Sequence, residues 1–167
     1  MKLSKIFDVG YGSKFDLNKM TIADHVNDGA VNFVSRSSKN LGVSAIVEKV
    51  DGVEPFSPGG ITVSLGGTYV LSSFVQLHPF YTGQNVAVLY PKNDMSFNEK
   101  LFYALAIRSN RFRYSAFGRE ANRTIRSIEV PEYCPSWVSK FTFPLKEGMP
   151  SNEYWIEFIK QHAFGPK

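Results

Sequence analysis

The strongest constraint on the fold is the way glycine and proline cut the first half of the chain into short apolar runs. LSKIFDVGY, from Leu3, runs into Gly10-Tyr11-Gly12-Ser13, and AVNFVSRS, from Ala30, gives way to Arg36-Ser37-Ser38-Lys39-Asn40. VSAIVEKV follows Gly42; Asp51-Gly52 and the Pro55 to Gly60 stretch then mark turns before ITVSL, TYVLSSFVQ and NVAVLYP. These last three runs are separated by Gly66-Gly67 and by residues 79–83. Runs of this length, rich in β-branched and aromatic residues and bounded by turn formers, are the mark of strands. Six of them within about 90 residues predict an α+β domain, with a mostly antiparallel or mixed twisted sheet, or a barrel-like sheet, and a few helices.

From Ser96 the apolar period lengthens. SFNEKLFYALAIRSNRF sets Phe97, Leu101, Leu105 and Phe112 on a helical stripe, and Ser96 followed three residues later by Glu99 has the spacing of a capping box. GREANRTIRSIEVP, residues 118–131, opens on a glycine and closes on a strand-like SIEVP. Beyond it Pro135, Pro144 and Pro150 interrupt the chain, and NEYWIEFIKQH predicts a final amphipathic helix near residues 152–162.

Several classes of chemistry lack their residues. The chain has no GxxxxGK[ST] phosphate loop, and Gly10-Tyr11-Gly12 lacks the third glycine of a dinucleotide fingerprint. His25, His78 and His162 are scattered, and the lone Cys134 excludes an internal disulfide and any multi-cysteine zinc site. No GxSxG elbow marks a serine nucleophile, and no Asn-Pro-Pro-Tyr tetrapeptide is present to hold a flipped base. Asp94, Glu99 and Lys100 come nearest to a metal-dependent nuclease centre, but the lysine spacing is wrong and Glu99 is taken by the helix cap. No catalytic residue, metal site or cofactor is expected. The apolar runs fall far short of the roughly 18 residues that a membrane helix needs, and Met1-Lys2-Leu3-Ser4-Lys5 has no signal-peptide core, so the expectation is a soluble cytoplasmic protein without a membrane partner.

Charge supplies the positive signal. The net charge of +4 is modest. Between positions 108 and 126, however, Arg108, Arg111, Arg113, Arg119, Arg123 and Arg126 face a single acid, Glu120. Arginine offers a planar fork for phosphate oxygens or for the O6/N7 edge of guanine. Phe112 and Tyr114 add stacking surface, and Asn110 and Asn122 add amides able to read adenine. The same cations would also complement a helix C-terminus and a surface loop. Arg36, Ser37, Ser38, Lys39 and Asn40 form a second polar group, and Lys14, Thr68, Tyr69, Gln76 and Tyr81 sit at neighbouring turns.

The order of these segments resembles the target recognition domain of type I restriction-modification specificity subunits and of related fused type II enzymes. KLSKIFDVGYGSK resembles that family's first strand and turn, and VNFVSRSSKNLGV its apolar strand with a polar serine-and-asparagine loop. GGITVSLGG and FYTGQNVAVLYP resemble its paired central strands; LFYALAIRSNRFR running into GREANRTIRSIEVP resembles its closing helix, polar loop and last strand. The resemblance covers roughly residues 1–133. It implies a domain that reads one half of a bipartite duplex target through loops and strand ends, with methylation and cleavage left to partner methyltransferase and endonuclease subunits or fused domains. On it, residues 1–133 are the recognition domain and residues 134–167 a C-terminal extension with a short amphipathic helix. The DNA-contacting set is Lys14, Arg36, Ser37, Ser38, Lys39, Asn40, Tyr69, Gln76, Arg111, Arg113, Tyr114, Arg119, Asn122 and Arg123. Specificity subunits carry two such domains joined by long helices, whereas this chain has one and no sustained heptad run, so it is an excised domain or a half-size protein that pairs as a homodimer. The competing readings are a protein-interaction module or inhibitor of a restriction-modification complex, and a divergent nuclease.

Overall fold

A computed structural model describes residues 1–114 and 120–140. Seven strands form two sheets: β1 Phe7–Tyr11, β2 Ala30–Val34, β3 Val43–Glu48, β4 Ile61–Ser64, β5 Ser73–Val75, β6 Phe80–Thr82 and β7 Val86–Pro91. A four-stranded antiparallel sheet has the order β1-β7-β4-β5. A three-stranded mixed sheet has the order β3-β2-β6, with β2 antiparallel to β3 and parallel to β6. The α+β expectation holds, and the described strands form two sheets rather than a closed barrel.

Strand period two divides the apolar residues among three cores. Along β7, Ala87 and Leu89 pack with Ile61, Val63, Phe7 and the residues Tyr103, Ala104 and Ile107 of the helix α2 (Phe97–Ser109). Val86 and Val88, on the opposite face of β7, pack with Val34 and Phe80 of the second sheet. The outer face of that sheet, Val31, Phe33, Val47 and Tyr81, is covered by Phe15, Leu17 and Met20. The layers are therefore helix, four-stranded sheet, three-stranded sheet and the segment after β1. Burial on both faces leaves every residue of β4 and β5 and the first four of β7 buried, and along β7 the sequence is accordingly a continuous apolar run, Val86-Ala87-Val88-Leu89.

Several boundaries differ from the sequence expectation. Leu3 and Ile6 both reach the main core, a three-residue spacing that one helical turn satisfies and a strand does not, so α1 (Leu3–Ile6) replaces the first half of the expected strand. TYVLSSFVQ is strand only over Ser73–Val75, because Gly67 (φ +75°) and Leu71 (φ +60°) bend the chain before it. Residues 79–83, expected as a turn, contain β6, whose Phe80 and Tyr81 serve opposite cores. The strand expected at SIEVP reduces to one isolated bridge, Lys2 to Glu129. The capping box on α2 is formed, with Glu99 N donating to Ser96 Oγ (3.3 Å) and Ser96 N to Glu99 Oε2 (2.8 Å). Its buried face is Tyr103, Ala104, Ile107 and then Asn110, rather than the Phe97 to Phe112 stripe, and Phe112 is 69% exposed. A short helix α3, Ser136–Lys140, follows; the amphipathic helix expected near 152–162 lies outside the described residues.

The corner at residues 82–86 carries the chain from β6 of one sheet into β7 of the other and binds the exits of three further strands. Gly12 N donates to Val86 O (2.9 Å) and Phe15 N to Thr82 O (3.0 Å), both just after β1. Leu65 N, after β4, donates to Asn85 O (2.8 Å), and Gly83 N donates to Val34 O at the end of β2 (2.9 Å). Gly12 approaches so closely that a Cβ there would stand 2.8 Å from Thr82 Cβ and 2.9 Å from its Cγ2. Thr82 is wholly buried and its hydroxyl donates to Gly83 O (3.1 Å), so it has nowhere to swing. Gly12→Ala is expected to lower unfolding stability by about 1–3 kcal/mol through overpacking. Gly10→Ala, whose Cβ would meet only Val88 O at 3.6 Å, should change stability by less than about 0.5 kcal/mol. Urea denaturation of the two variants measures the contrast, and equal midpoints would contradict the account of the corner.

Candidate functional site

Strand register places six polar segments at one end of the molecule. Tyr11 pairs with Ala87 and Ser64 with Val86, so the exits of β1 and β4 lie beside the start of β7. Val34 pairs with Thr82 and with Val43, so the exits of β2 and β6 and the entry of β3 share the adjoining edge. Residues 11–15, 35–42, 65–72 and 83–85 all leave from this end. Two segments from beyond α2 join them: Ala121 N donates to Leu65 O (2.8 Å), and Arg111 Nη2 donates to Thr68 O.

These described segments carry Lys14, Arg36, Lys39, Arg111, Arg113 and Arg123 against one carboxylate, Glu120. The far end of the three-stranded sheet, where Ala30 pairs with Glu48, carries Asp28, Glu48, Asp51 and Glu54 beside Lys49. Charge is thus polarised along the strands of the three-stranded sheet.

The residues singled out in the sequence divide by what their side chains do. Arg36 lies over the 65–72 loop: its Nη1 is 3.7 Å from where a Gly67 Cβ would stand. Ser37 Oγ accepts from Lys39 N (3.1 Å), and Asn40, in a left-handed conformation, donates from Nδ2 to Val43 O (3.2 Å); both shape the loop that presents Arg36 and Lys39. Ser38 in that loop is half-buried. Tyr69, Arg113 and Arg123 are exposed at the same end, and Arg113 lies 5.6 Å from the Phe112 ring centroid. Tyr114 Oη and Thr124 Oγ1 share a 2.6 Å hydrogen bond.

Gln76 is a correction. It is 0% exposed and cannot meet a ligand: Nε2 donates to Leu41 O and to Thr62 Oγ1, both at 2.8 Å, tying the 35–42 loop to the four-stranded sheet. Tyr81 is likewise buried, donating to Val53 O and accepting from Val50 N (3.2 Å). The arginine run also proves not to be one surface. Arg111 props the 65–72 loop, Arg126 Nη2 donates to Val9 O (2.7 Å) at β1, and Arg108 is half-buried in α2. Arg119 lies outside the described residues.

A cleft of about 250 Å³ opens among Tyr11, Lys14, Gln84, Asn85, Val86 and Asn122. Tyr11 Oη donates to Asn122 O (2.8 Å), fixing one wall, and Lys14 Nζ stands 5.6 Å from the Tyr11 ring centroid. Tyr11, Gln84 and Asn85 were not singled out from sequence. Their one local signal is a short polar break, Gly83-Gln84-Asn85, between two apolar runs.

Among the described residues no three His, Cys, Asp or Glu side chains gather as a metal site, and no helix is long and apolar enough to cross a membrane. In sequence, the chain matches no protein-family model and no curated protein. In structure it is similar to the S subunit of the type I restriction-modification system from M. genitalium (TM-score 0.58, 14% identity, 78% of this chain and 33% of that one). It is similar also to the HsdS subunit from Thermoanaerobacter tengcongensis (TM-score 0.57, 13% identity, 78% and 32%). A third match is a chain from a type I R-M system studied for its complex assembly and conformational transition (TM-score 0.51, 14% identity, 77% and 32%). The chain thus spans about a third of the length of each, and the fold expected from the ordered sequence motifs is the fold observed.

Cys134, the only cysteine, is half-buried beside the α2 core. Burial, with the Glu99 carboxylate adding to it, pushes its thiol up to about 11, so almost no thiolate exists at neutral pH. At pH 8 the folded chain should react with iodoacetamide on the order of a hundredfold more slowly than the urea-unfolded chain, and faster as the pH climbs towards 11. Equal rates in the two states would contradict a thiol held protonated by burial.

Proposed function

We propose that this chain is a non-catalytic module that reads one half of a bipartite duplex DNA target for a restriction-modification system. The observation that carries the reading is the convergence of six segments, whose charged side chains are Lys14, Arg36, Lys39, Arg111, Arg113 and Arg123 against Glu120 alone, at one end of a fold shared with type I S subunits. A duplex presents a phosphate surface to which such an end is electrostatically complementary, and its major groove admits loops and strand ends. The loops at residues 35–42 and 65–72 and the turn at 110–114 project Arg36, Lys39, Tyr69 and Arg113. Arginine forks suit guanine O6/N7, and Asn40 and Asn122 carry amides of the kind that read adenine. Ser37, Ser38 and Tyr114 complete the contact set as shaping or neighbouring residues, Arg119 is retained in it from the sequence alone, and Arg111 acts by holding the 65–72 loop in place.

Residues 1–133 form the recognition unit in this reading, and residues 134–167 an appendage. Its first turn, α3, docks on α2 through buried Val138, whose carbonyl accepts from Asn98 Nδ2 (3.1 Å). A second half-site needs a second module, supplied by another copy of the chain or by a further domain, and methylation and cleavage come from partner methyltransferase and endonuclease subunits.

Selection from a randomised duplex pool tests the reading. One short motif should be enriched, and binding to it should fall steeply with salt. Arg113→Ala and Arg123→Ala should each weaken binding roughly tenfold or more, about 1.4 kcal/mol, where the arginine meets a base edge. A pool that yields no motif, or unchanged affinity in both variants, would contradict it.

A further inference from the structure

A duplex is concave at its grooves and convex along its phosphate ridges. Projecting loops can therefore enter a groove, whereas a concavity on the protein can receive only a ridge. The cleft between Tyr11, Lys14, Gln84, Asn85 and Asn122 is such a concavity, set among the projecting loops. Its lining holds one ammonium and three side-chain amides and no carboxylate, a donor set matched to an anion. Lys14 forms no ion pair among the described residues, so its charge is not already neutralised. Lys14 (φ +60°) and Asn85 (φ +55°) are both held in the left-handed region, which a lysine has no local reason to adopt. Bonds of the corner flank both residues, Phe15 N to Thr82 O after Lys14 and Leu65 N to Asn85 O at Asn85, and both residues line the one cleft.

We infer that this cleft seats one phosphodiester of the duplex backbone, with Lys14 as the charge partner and the amides of Gln84, Asn85 and Asn122 as donors to the non-bridging oxygens. The seat sets the register of the reading loops and carries no sequence information itself. This rests on the proposed DNA-reading function and divides its contacts: base-reading at the projecting loops, phosphate-holding at the cleft.

The test uses the full chain and a duplex from the randomised pool, prepared with a single neutral methylphosphonate at successive backbone positions. Lys14→Gln should weaken binding roughly three- to tenfold on every duplex alike, reduce the slope of log K against log salt by about 0.9, and leave the order of preferred sequences unchanged. Gln84→Ala, at an exposed position, should weaken binding in the same sequence-independent way without changing that slope. At one backbone position the methylphosphonate should weaken the wild type and add nothing to Lys14→Gln, the signature of a shared contact. Unchanged affinity in both variants, a changed sequence preference, or losses that add at every backbone position would each overturn the phosphate seat while leaving DNA reading intact. If the wild type binds no duplex at all, the functional reading fails and the seat fails with it.

Discussion

Everything at the functional end hangs from the corner at residues 82–86. There the chain passes directly from one sheet to the other, and its backbone accepts hydrogen bonds from the exits of β1 and β4 and donates one to the exit of β2. Buried main-chain donors and acceptors must be paired, so these bonds are obligatory once the apolar layers close over the corner. They root three loops of different sequence in one rigid frame. Gly12 and Gly83 allow the approach: a side chain at Gly12 would collide with Thr82, and one at Gly83 would press on the Phe33 ring at 3.4 Å.

The frame explains how apolar and polar tasks are kept apart. The three cores use alternate residues of β2, β6 and β7 to bind helix, sheets and covering segment into layers. The loops beyond the strand ends are anchored by a few buried apolar residues, Leu65, Val70 and Leu71 in the 65–72 loop and Ala121 after α2, and leave Arg36, Lys39, Tyr69 and Arg123 exposed. Where polar groups do enter the interior they tie loop to sheet: Gln76 holds Leu41 O, and its own Oε1 has no partner among the described residues. Arg111 and Arg126 do the same from the surface, each turning its guanidinium to a backbone carbonyl. Cations placed this way stabilise loops, whereas Arg113, Arg123, Arg36 and Lys39 stay exposed.

Much of this was legible in the sequence, and the gaps have physical causes. β2, β3, β4, β7 and the capped helix α2 announce themselves because their signals are local: apolar runs, turn residues, a Ser-x-x-Glu start. β6 hides because three residues between Pro79 and Gly83 are too short to show a period. Gln76 misleads because a polar residue ending an apolar run reads as exposed, whereas its neighbours in space are Leu41 and Thr62. Arg111 and Arg113 look alike in sequence, and only the fold of the 65–72 loop decides that one is a prop and the other an exposed side chain beside the Phe112 ring. The cleft was invisible for the same reason, since Tyr11 meets Gln84 through the register of β1 on β7 and meets Asn122 through a hydrogen bond more than a hundred residues away in sequence.

The central claim is that one end of the molecule, the end rooted on the 82–86 corner, is the surface that meets DNA. Amide hydrogen exchange of the full chain, with and without the duplex it prefers, tests this most directly. Protection on binding should concentrate in residues 11–15, 35–42, 65–72, 83–85 and 110–114 and leave residues 27–29 and 48–54 at their free rates. Protection centred on the acidic far end around Asp28, Asp51 and Glu54, or spread evenly over both ends, would contradict the account.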